Sequence, residues 1–423
     1  MSPTATPCRR WFQFRLRTLL VLMLVACIGM GWLVERRTRA RKERDAVAAI
    51  ERLGGRVNWT YSWPDEESPG RTWLQIVTGD RFARPPDIIE ITNEAAMEFV
   101  AELTHIPNLT LIGTQFTDAG LENLKGLTHV QGLCFADTRV TGEGLSYLKE
   151  MTQLTTLSFK STPITDADVE YLNALPQLRQ LSLDGTQITD ASLKHLAGFN
   201  QLRDLSLNST QVTGTGLDHV SGLTQLEALR LENTQLTDTG LEHIKGLVQL
   251  HGVTLRDTLV TDHGLEHLQG LTQLQWLSLE NTQVTGTGLK HLQGLTHLQS
   301  LNLSNTNLND NGVQHVKGLT ALKTLLLKDT QISDAGLTHV RGLTALETLY
   351  ISGTQITDTG LEHLRGLPQL ESLSLDNTCV TDAGVKRLTG LSHLRVLSLI
   401  RTKVSDAGIV SLQQDLPNCR IVR

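Results

Sequence analysis

A fixed period of 24 residues constrains the fold of this 423-residue chain more than any other feature. Thirteen units follow one another without insertion from residue 109 to residue 420, and each opens with the same alternation of apolar and polar side chains. Such self-similarity is typical of a solenoid, in which each unit buries its apolar face against the next unit. We therefore expect one elongated domain, although the chain length alone would suggest two or three compact ones.

Each unit has two halves with different apolar spacing. In the unit that begins at Leu349, Leu349 and Ile351 alternate with polar residues, which predicts a β-strand. Further along the unit, Leu361, Leu364 and Leu367 are spaced three apart, which predicts one or two helical turns over the same core. Identical strands joined by short helical returns pair in parallel, so the predicted fold class is α/β. The predicted architecture is a solenoid with a parallel concave sheet and convex helices.

Two polar columns accompany the leucines. The sixth position of every unit is Thr, and we expect each hydroxyl to bond a neighbouring backbone group, so that the column ties repeats together. The tenth position is Asp in ten of the thirteen units and Gly at Gly142, Gly214 and Gly286. Because Asp is a favoured residue at helix N-termini, this column predicts the N-caps of the convex helices.

The pattern LxxLxLxxTxITDxGLxxL resembles the leucine-rich-repeat family, in particular its 24-residue class with Thr in place of the usual Asn. The resemblance covers about 315 of the 423 residues. Similar repeats occur in F-box proteins and in bacterial internalin-like proteins. The resemblance implies a horseshoe-shaped leucine-rich-repeat solenoid that recognises protein on its concave face. The chain departs from the F-box pattern, because an apolar segment stands where an F-box would be needed.

The apolar segment at residues 18–34 contains no charged residue and predicts one transmembrane helix after a basic tail at residues 1–17. The start FRLRTLL is similar to membrane proteins of planctomycete bacteria. Two alternatives stay open, a cleaved secretory signal and a lipoprotein signal that ends at Cys27. An uncleaved anchor is favoured because the apolar run continues past Cys27. Both flanks are basic, and a short basic tail favours a repeat domain on the non-cytoplasmic side of a single-pass membrane protein.

The remaining boundaries follow from composition. Residues 35–55 predict a juxtamembrane helix, and residues 56–108 predict a capping region of a few irregular strands around Trp59, Tyr61, Trp63 and Trp73. The repeats occupy residues 109–420, and residues 421–423 form a C-terminal cap that includes a last stub of strand.

Charge and motifs limit the possible functions. Residues 1–44 hold ten Lys and Arg against two Glu, which leaves 28 basic against 42 acidic residues in the rest of the chain. An acidic repeat domain without a basic stripe argues against nucleic acid as a partner. No nucleophile elbow, phosphate loop or dinucleotide fingerprint occurs, and residues 45–96 are too few for an ordinary catalytic domain. We therefore predict no enzymatic activity, no cofactor and no small-molecule substrate.

Histidines form a further column on the predicted convex helices, at His195, His219, His243, His267, His291, His315, His339 and His363. Imidazoles bind zinc and nickel, so a weak metal-binding or pH-responsive surface is one interpretation. The favoured interpretation is that repeat duplication copied a half-exposed residue. His263 and His267 match the HxxEH spacing of some zinc proteases, but Glu266 and His267 belong to the repeat consensus. We therefore predict no metal site and keep these two histidines as weak candidates.

The concave face is the predicted partner-binding surface. Most of its outward residues are small and polar, and the exceptions are Trp276, Tyr350, Arg230, Glu232, Arg256, Glu280, Lys160 and Lys328. Aromatic and Arg side chains dominate binding energy at protein interfaces. Trp276 and Tyr350 lie three repeats apart, or about 14 Å at strand spacing, within reach of one partner. The sequence thus predicts a membrane-anchored scaffold for protein–protein interaction, and a structural cell-envelope protein is the alternative.

Overall fold

The computed structural model of the chain describes residues 16–58, 88–103 and 106–423. In these residues sixteen strands form one sheet in sequence order, and strands β2 to β16 run parallel to one another. The strands are β1 Arg56–Asn58, β2 Ile88–Ile91, β3 Asn108–Ile112, β4 Gly132–Ala136, β5 Thr156–Lys160, β6 Gln180–Ser182, β7 Asp204–Ser206, β8 Ala228–Arg230, β9 Gly252–Thr254, β10 Trp276–Ser278, β11 Ser300–Asn302, β12 Thr324–Leu326, β13 Thr348–Tyr350, β14 Ser372–Ser374, β15 Val396–Ser398 and β16 Arg420–Val422. The predicted parallel solenoid is confirmed.

Short helices return the chain from one strand to the next. After the long first helix α1 (Leu16–Arg52), the α-helices are Gly142–Leu145, Asp166–Val169, Asp238–Glu242, Asp310–Val313, Asp334–Val340, Asp382–Val385 and Asp406–Asp415. The 3₁₀ helices are Glu94–Glu102, Asp118–Leu124, Ser146–Glu150, Glu170–Ala174, Asp190–Leu196, Thr215–Val220, Gly264–Leu268, Thr287–Leu292, Gln314–Gly318, Gly360–Gly366 and Lys386–Leu388. Most returns are 3₁₀ helices, because one or two tight turns suffice to span the core.

The repeat register places the core between sheet and helices. Leu349 pairs with Leu325 and Leu373 on the neighbouring strands, so equivalent leucines stack in columns along the solenoid. Leu349, Ile351, Leu361 and Leu364 are all buried. Each repeat therefore supplies one thin apolar layer, which is complete only when the adjacent repeat covers it.

The Thr column acts within each repeat, which contradicts its predicted role as a tie between repeats. From Thr162 to Thr402, eleven of these hydroxyls donate to the carbonyl three residues earlier in the same repeat, at 2.5 to 3.1 Å. The prediction failed because the strand turns sharply just before the sixth position. The turn brings each hydroxyl back over its own strand end, and the column thereby stabilises the bend.

The Asp column ties the repeats together. Asp118 accepts hydrogen bonds from the backbone N–H of Thr141, at 2.8 Å, and from its hydroxyl, at 2.7 Å. We call this contact between successive repeats an aspartate seam. The same bonds join Asp166 to Thr189, Asp190 to Thr213, Asp238 to Thr261, Asp262 to Thr285, Asp310 to Ser333, Asp334 to Thr357, Asp358 to Thr381 and Asp382 to Ser405.

The predicted N-cap role of the Asp column is wrong. The capping position is held by the preceding residue, as with Thr189, Ser333 and Thr381, whose side chains accept from the helix N–H two residues later. At eight of the ten positions Asp is the first residue inside the helix, and at Asp262 and Asp358 the helix begins two residues later. The Asp side chain is therefore free to reach the next repeat. Asp is favoured both as an N-cap and as an acceptor for a neighbouring repeat, so the sequence alone does not distinguish the two roles.

The glycine two residues after the Asp has a steric role in the same contact. A Cβ added to Gly360 would lie 2.3 Å from Oδ1 of Asp334, and one added to Gly384 would lie 2.2 Å from Oδ1 of Asp358. The carboxylate of one repeat therefore rests against the glycine backbone of the next. This close approach explains the recurrent Asp-x-Gly spacing.

The fifth position of every repeat adopts a left-handed backbone. Ten non-glycine residues there have φ between 52° and 56°, and the other three repeats have Gly113, Gly185 and Gly353. Asn and Asp fill most of these positions because they tolerate this region better than other residues with side chains. Ser161, Ser209 and Arg401 are the exceptions.

Both ends of the solenoid core are covered. At the first edge, β1 pairs antiparallel with β2, and Ile89 and Ile91 are fully buried. The C-terminal half of α1 packs here, with Ile50 buried and Lys42 in an ion pair with Glu102 at 3.3 Å. At the other end β16 pairs with β15 as the last strand. The tryptophans and tyrosine predicted for irregular strands lie at residues 59–87, outside the described residues.

Candidate partner-binding groove

Outward side chains on the concave face form three rows that run along the solenoid. The first row comprises the residue before each strand leucine, the second the residue between the two buried residues, and the third the residue after them. All eight predicted residues lie on this face. Trp276 is in the first row, Arg230 and Tyr350 are in the second, and the third row holds Lys160, Glu232, Arg256, Glu280 and Lys328.

Trp276 covers the neighbouring strand. A Cβ added to Gly252, its partner on β9, would lie 1.7 Å from Cε2 of the Trp276 indole, so the ring occupies the space that any larger residue would fill. The residue at the same position on β8 is Ala228, which is buried. Because the indole fills the place over Gly252, the small residue Ala228 on the next strand leaves a depression beside the ring, and Trp276 remains 37% exposed at its edge.

This depression opens into a groove with a volume of about 510 Å³ across the starts of strands β5 to β10. Besides Trp276, its lining includes Arg179, Arg203, Asp204, Glu227, Arg230 and the imidazole of His251. Arg203 forms an ion pair with Glu227 at 2.8 Å, and Arg230 forms one with Asp204. Within the described part of the chain Arg179 is exposed and has no ion-pair partner.

The groove contains only two of the predicted residues, Trp276 and Arg230. Tyr350 is 38% exposed but lies in another row and three strands away, about 16 Å from Trp276 by strand geometry. The hydroxyl of Ser372 donates to its phenol oxygen at 3.4 Å. The structure therefore does not join the two aromatic residues in one depression.

The third row lies outside the groove. Arg256 is bridged to Asp257 at 3.0 Å and reaches Glu280 at 3.9 Å, while Glu280 also accepts a hydrogen bond from Asn302 at 2.9 Å. Lys328 contacts Asp329 at 3.6 Å. These charged side chains form ion pairs or hydrogen bonds with near neighbours on the same face, so the third row is a polar surface beside the groove.

The sequence did not predict four residues that line the groove, namely Arg179, Arg203, Glu227 and His251. They precede the strands by one residue, where a strict strand alternation no longer assigns a face. A signal was present, because the same repeat position is charged or imidazole-bearing in four consecutive units. A comparison of this position between successive repeats would have identified these residues.

Cys134 is the only cysteine on the described strands of the concave face, in the second row of β4. Burial raises the pKa of its thiol, against the opposing influence of Ser158 and Lys160. A thiol with a raised pKa is mainly protonated at neutral pH, unlike a nucleophilic cysteine.

The histidine column lies on the convex helices, where seven of its eight members are half-buried and His219 is exposed. His263 precedes the short helix Gly264–Leu268, and His267 lies inside it with Nε2 3.8 Å from Glu266. Among the described residues, no three His, Cys, Asp or Glu side chains are grouped so as to hold a metal ion.

The N-terminal helix α1 is continuous from Leu16 to Arg52. It includes a stretch long and apolar enough to cross a membrane or to act as a signal anchor, with a mean hydropathy of 1.9 and none of that stretch buried. The first fifteen residues, with most of the basic tail, lie outside the described residues.

Comparison with known proteins agrees with this architecture. A family model described as leucine rich repeat matches residues 296–356 and 320–379. The fold of the described chain is a leucine-rich-repeat solenoid. A leucine-rich-repeat protein from Leptospira interrogans superposes with a TM-score of 0.60 and 20% identity, covering 84% of this chain and all of that one. An internalin from Listeria monocytogenes superposes with a TM-score of 0.57 and 22% identity, covering 77% of this chain and 92% of that one.

A search of curated protein sequences gives no match to the solenoid. The structural matches confirm the predicted leucine-rich-repeat fold. The similarity of the N-terminal start to planctomycete membrane proteins stays a prediction.

Proposed function

We propose that the solenoid is a membrane-anchored scaffold that binds a protein partner through the groove around Trp276 and that it catalyses no reaction. The observation that carries the proposal is a half-exposed indole that lies over Gly252, beside a depression above Ala228. Exposed aromatic residues at the edge of a pocket are the usual anchors of protein interfaces. A leucine-rich-repeat fold is consistent with this role, because its curved sheet presents many side chains to one partner.

The anchoring half of the proposal rests on α1. None of the residues in its most apolar stretch is buried, whereas Ala46 and Ile50 further along the same helix are buried against the cap. We propose that residues 18–34 cross the membrane once, that residues 35–55 continue the helix to the cap, and that the repeats lie on the non-cytoplasmic side. The convex histidines and the pair His263 and His267 have no role in this proposal.

The partner-binding proposal is tested by crosslinking on intact cells, followed by mass spectrometry of proteins captured with the full chain. Trp276→Ala is expected to abolish capture of a discrete partner while leaving the circular dichroism spectrum unchanged. Tyr171→Ala is the matched control, because Tyr171 is 48% exposed on the convex side. Capture that is equal in the two variants would exclude the groove. Tyr350→Ala, tested separately, shows whether the partner extends to β13.

The membrane proposal is tested by labelling Cys379, an exposed cysteine in the repeats, with a membrane-impermeant maleimide. Labelling in intact cells is expected if the repeats face outward. Labelling only after cell lysis would reverse the orientation. The mass of the purified chain decides between an uncleaved anchor of 46.6 kDa and a chain shortened or lipidated at Cys27.

A further inference from the structure

The charge of the groove differs from that of the domain around it. Residues 45–423 hold 28 basic and 42 acidic residues, yet three arginines converge on this one groove with only Asp204 and Glu227 beside them. Two of the arginines are neutralised by these carboxylates. Arg179 has no ion pair within the described residues, so the groove carries an unbalanced positive charge at the end away from Trp276.

The distance between the two ends defines the length of a ligand. Arg179 directly precedes β6, and Trp276 opens β10, which places them four strand spacings apart, or about 19 Å. An extended peptide advances about 3.3 Å per residue, so about six residues separate a side chain at one end from a side chain at the other. A short linear segment therefore spans the groove.

The neighbouring strands determine how such a segment binds. Strands β6 to β10 each pair with a strand on both sides, so no sheet edge is open there for an added strand. Recognition must come from side chains. The space above Ala228, next to the indole of Trp276, suits an apolar side chain, and the guanidinium of Arg179 suits a carboxylate.

We infer that the groove binds an extended acidic peptide segment of the partner, which runs across the strands. An apolar residue contacts Trp276 above Ala228, and a carboxylate about six residues away pairs with Arg179. The inference rests on the proposed function, since it specifies the partner of the same site. It favours a peptide over an acidic glycan because the space above Ala228 beside the indole is an apolar recess.

The test uses fluorescence anisotropy with the full chain in detergent micelles and a fluorescein-labelled synthetic peptide of about ten residues. The peptide is built on serine and glycine, with one leucine and, six positions later, two glutamates. Binding is expected to weaken about tenfold when the glutamates are replaced by lysines, and also when they are moved to two positions from the leucine. Trp276→Ala is expected to weaken binding of the glutamate peptide by a similar factor.

A charge swap provides the decisive comparison. Arg179→Glu is expected to lose about tenfold in affinity for the glutamate peptide and to recover affinity with the lysine peptide. Lys290→Glu, on a convex helix, is the control for the change in net charge and is expected to have no effect. Equal binding of the glutamate and lysine peptides to the wild-type chain would overturn the inference, as would an Arg179→Glu variant that binds both as the wild type does.

Two further outcomes separate this inference from the proposed function. If Trp276→Ala abolishes capture of the cellular partner but Arg179→Glu leaves capture intact, the scaffold function stands and the acidic peptide is wrong. If a sulfated oligosaccharide binds more tightly than the peptide and loses affinity in Arg179→Glu, the groove recognises an acidic glycan and the inference is overturned.

Discussion

Successive repeats of the solenoid are joined in two different ways. Nine of the twelve junctions between repeats are aspartate seams, in which a carboxylate accepts hydrogen bonds from the next repeat. The junctions after Gly142, Gly214 and Gly286 lack this carboxylate and recur every third repeat. We call them glycine seams, and they show what a repeat needs when the bridging side chain is missing.

In the glycine seams the missing hydrogen bonds are replaced in one of two ways. The backbones of the two repeats lie in close contact, or the following repeat provides the carboxylate that accepts from the preceding one. A Cβ on Gly214 would lie 2.7 Å from Cα of Gly240, and one on Gly286 would lie 2.5 Å from Cα of Gly312. At Gly142 the following repeat supplies the carboxylate instead, because Asp168 accepts from the N–H of Gly142 at 3.1 Å and from the N–H of Thr165 in its own repeat at 2.8 Å. The repeat spacing is thus kept either by a polar bridge or by removal of a side chain.

The largest effect is expected from filling a glycine seam. Gly286→Ala places a Cβ against the backbone of Gly312 and forces a residue with a side chain to a φ of 107°. We expect a loss of about 3 kcal/mol in the free energy of unfolding, measured by urea denaturation monitored by circular dichroism. Gly294→Ala is the control, because a Cβ there meets nothing within 4 Å. Equal midpoints for the two variants would show that the glycine seam is not a close backbone contact.

A smaller effect is expected from emptying an aspartate seam. Asp334→Ala removes the acceptor of the N–H and hydroxyl of Thr357 and of the hydroxyl of Thr359. Because a partly buried N–H then lacks a partner, we expect a loss of about 2 kcal/mol. Hydrogen exchange is expected to accelerate at the Thr357 amide first. Asp334→Asn keeps one acceptor oxygen and should cost less, so equal losses in the two variants would contradict the hydrogen-bond explanation.

Much of the fold follows from the sequence because leucine spacing records burial directly. The alternation at Leu349 and Ile351 and the three-residue spacing from Leu361 predict strand and helix correctly. The seams escape this kind of prediction, because the partner of Asp334 lies 23 residues away and local spacing favours a capping role. The sequence did contain an indication of the seams, because Gly recurs two residues after Asp in most repeats. An N-cap does not require that glycine, whereas a close contact between repeats does.

The candidate groove was predictable to a similar extent. Trp276 stands out as an aromatic residue at an outward strand position, and the structure confirms that it is exposed. The depression beside it depends on the small residues Ala228 and Gly252 in neighbouring repeats, and the free charge depends on Arg179 at the rim. These features arise from comparing equivalent positions of different repeats. A strand-by-strand interpretation does not contain them.

A third variant tests whether Asp and Gly in a seam act as one unit. Gly360→Ala places a Cβ 2.3 Å from Oδ1 of Asp334, so the carboxylate must shift. Overpacking outweighs the gain in helix propensity, and we expect a net loss of about 1 kcal/mol by urea denaturation. In the Asp334→Ala background the same change should cost less, because Oδ1 and Cγ of residue 334 are gone and only its Cα, 3.3 Å from the added Cβ, remains close. An undiminished cost in that background would show that Gly360 is constrained by something other than the seam.

The smallest effect at any one seam is expected from protonating the carboxylate, because the side chain then remains in place. Burial is the largest influence on Asp334 and by itself favours the protonated form, but hydrogen bonds from Thr357, Thr359 and Gly360 outweigh it and lower the pKa. The same balance lowers the pKa of Asp190 and Asp262. A carboxyl whose pKa is lower in the folded than in the unfolded chain stabilises the fold above the unfolded pKa, near 4, and loses that contribution as the pH falls through the folded pKa.

The urea midpoint should therefore be nearly constant from about pH 7 to about pH 5 and should fall below about pH 4. Asp334→Asn carries one titrating seam fewer, so its midpoint should fall less steeply in the acid range, although it starts from a lower value. Asp415→Asn, at the end of the last convex helix and outside the seams, controls for the loss of a charge. Identical acid slopes for Asp334→Asn and the wild type would mean that the aspartate seam stabilises the solenoid without depending on its ionised form. Aspartate seams and glycine seams would then differ only in how the two repeats fit together and not in charge.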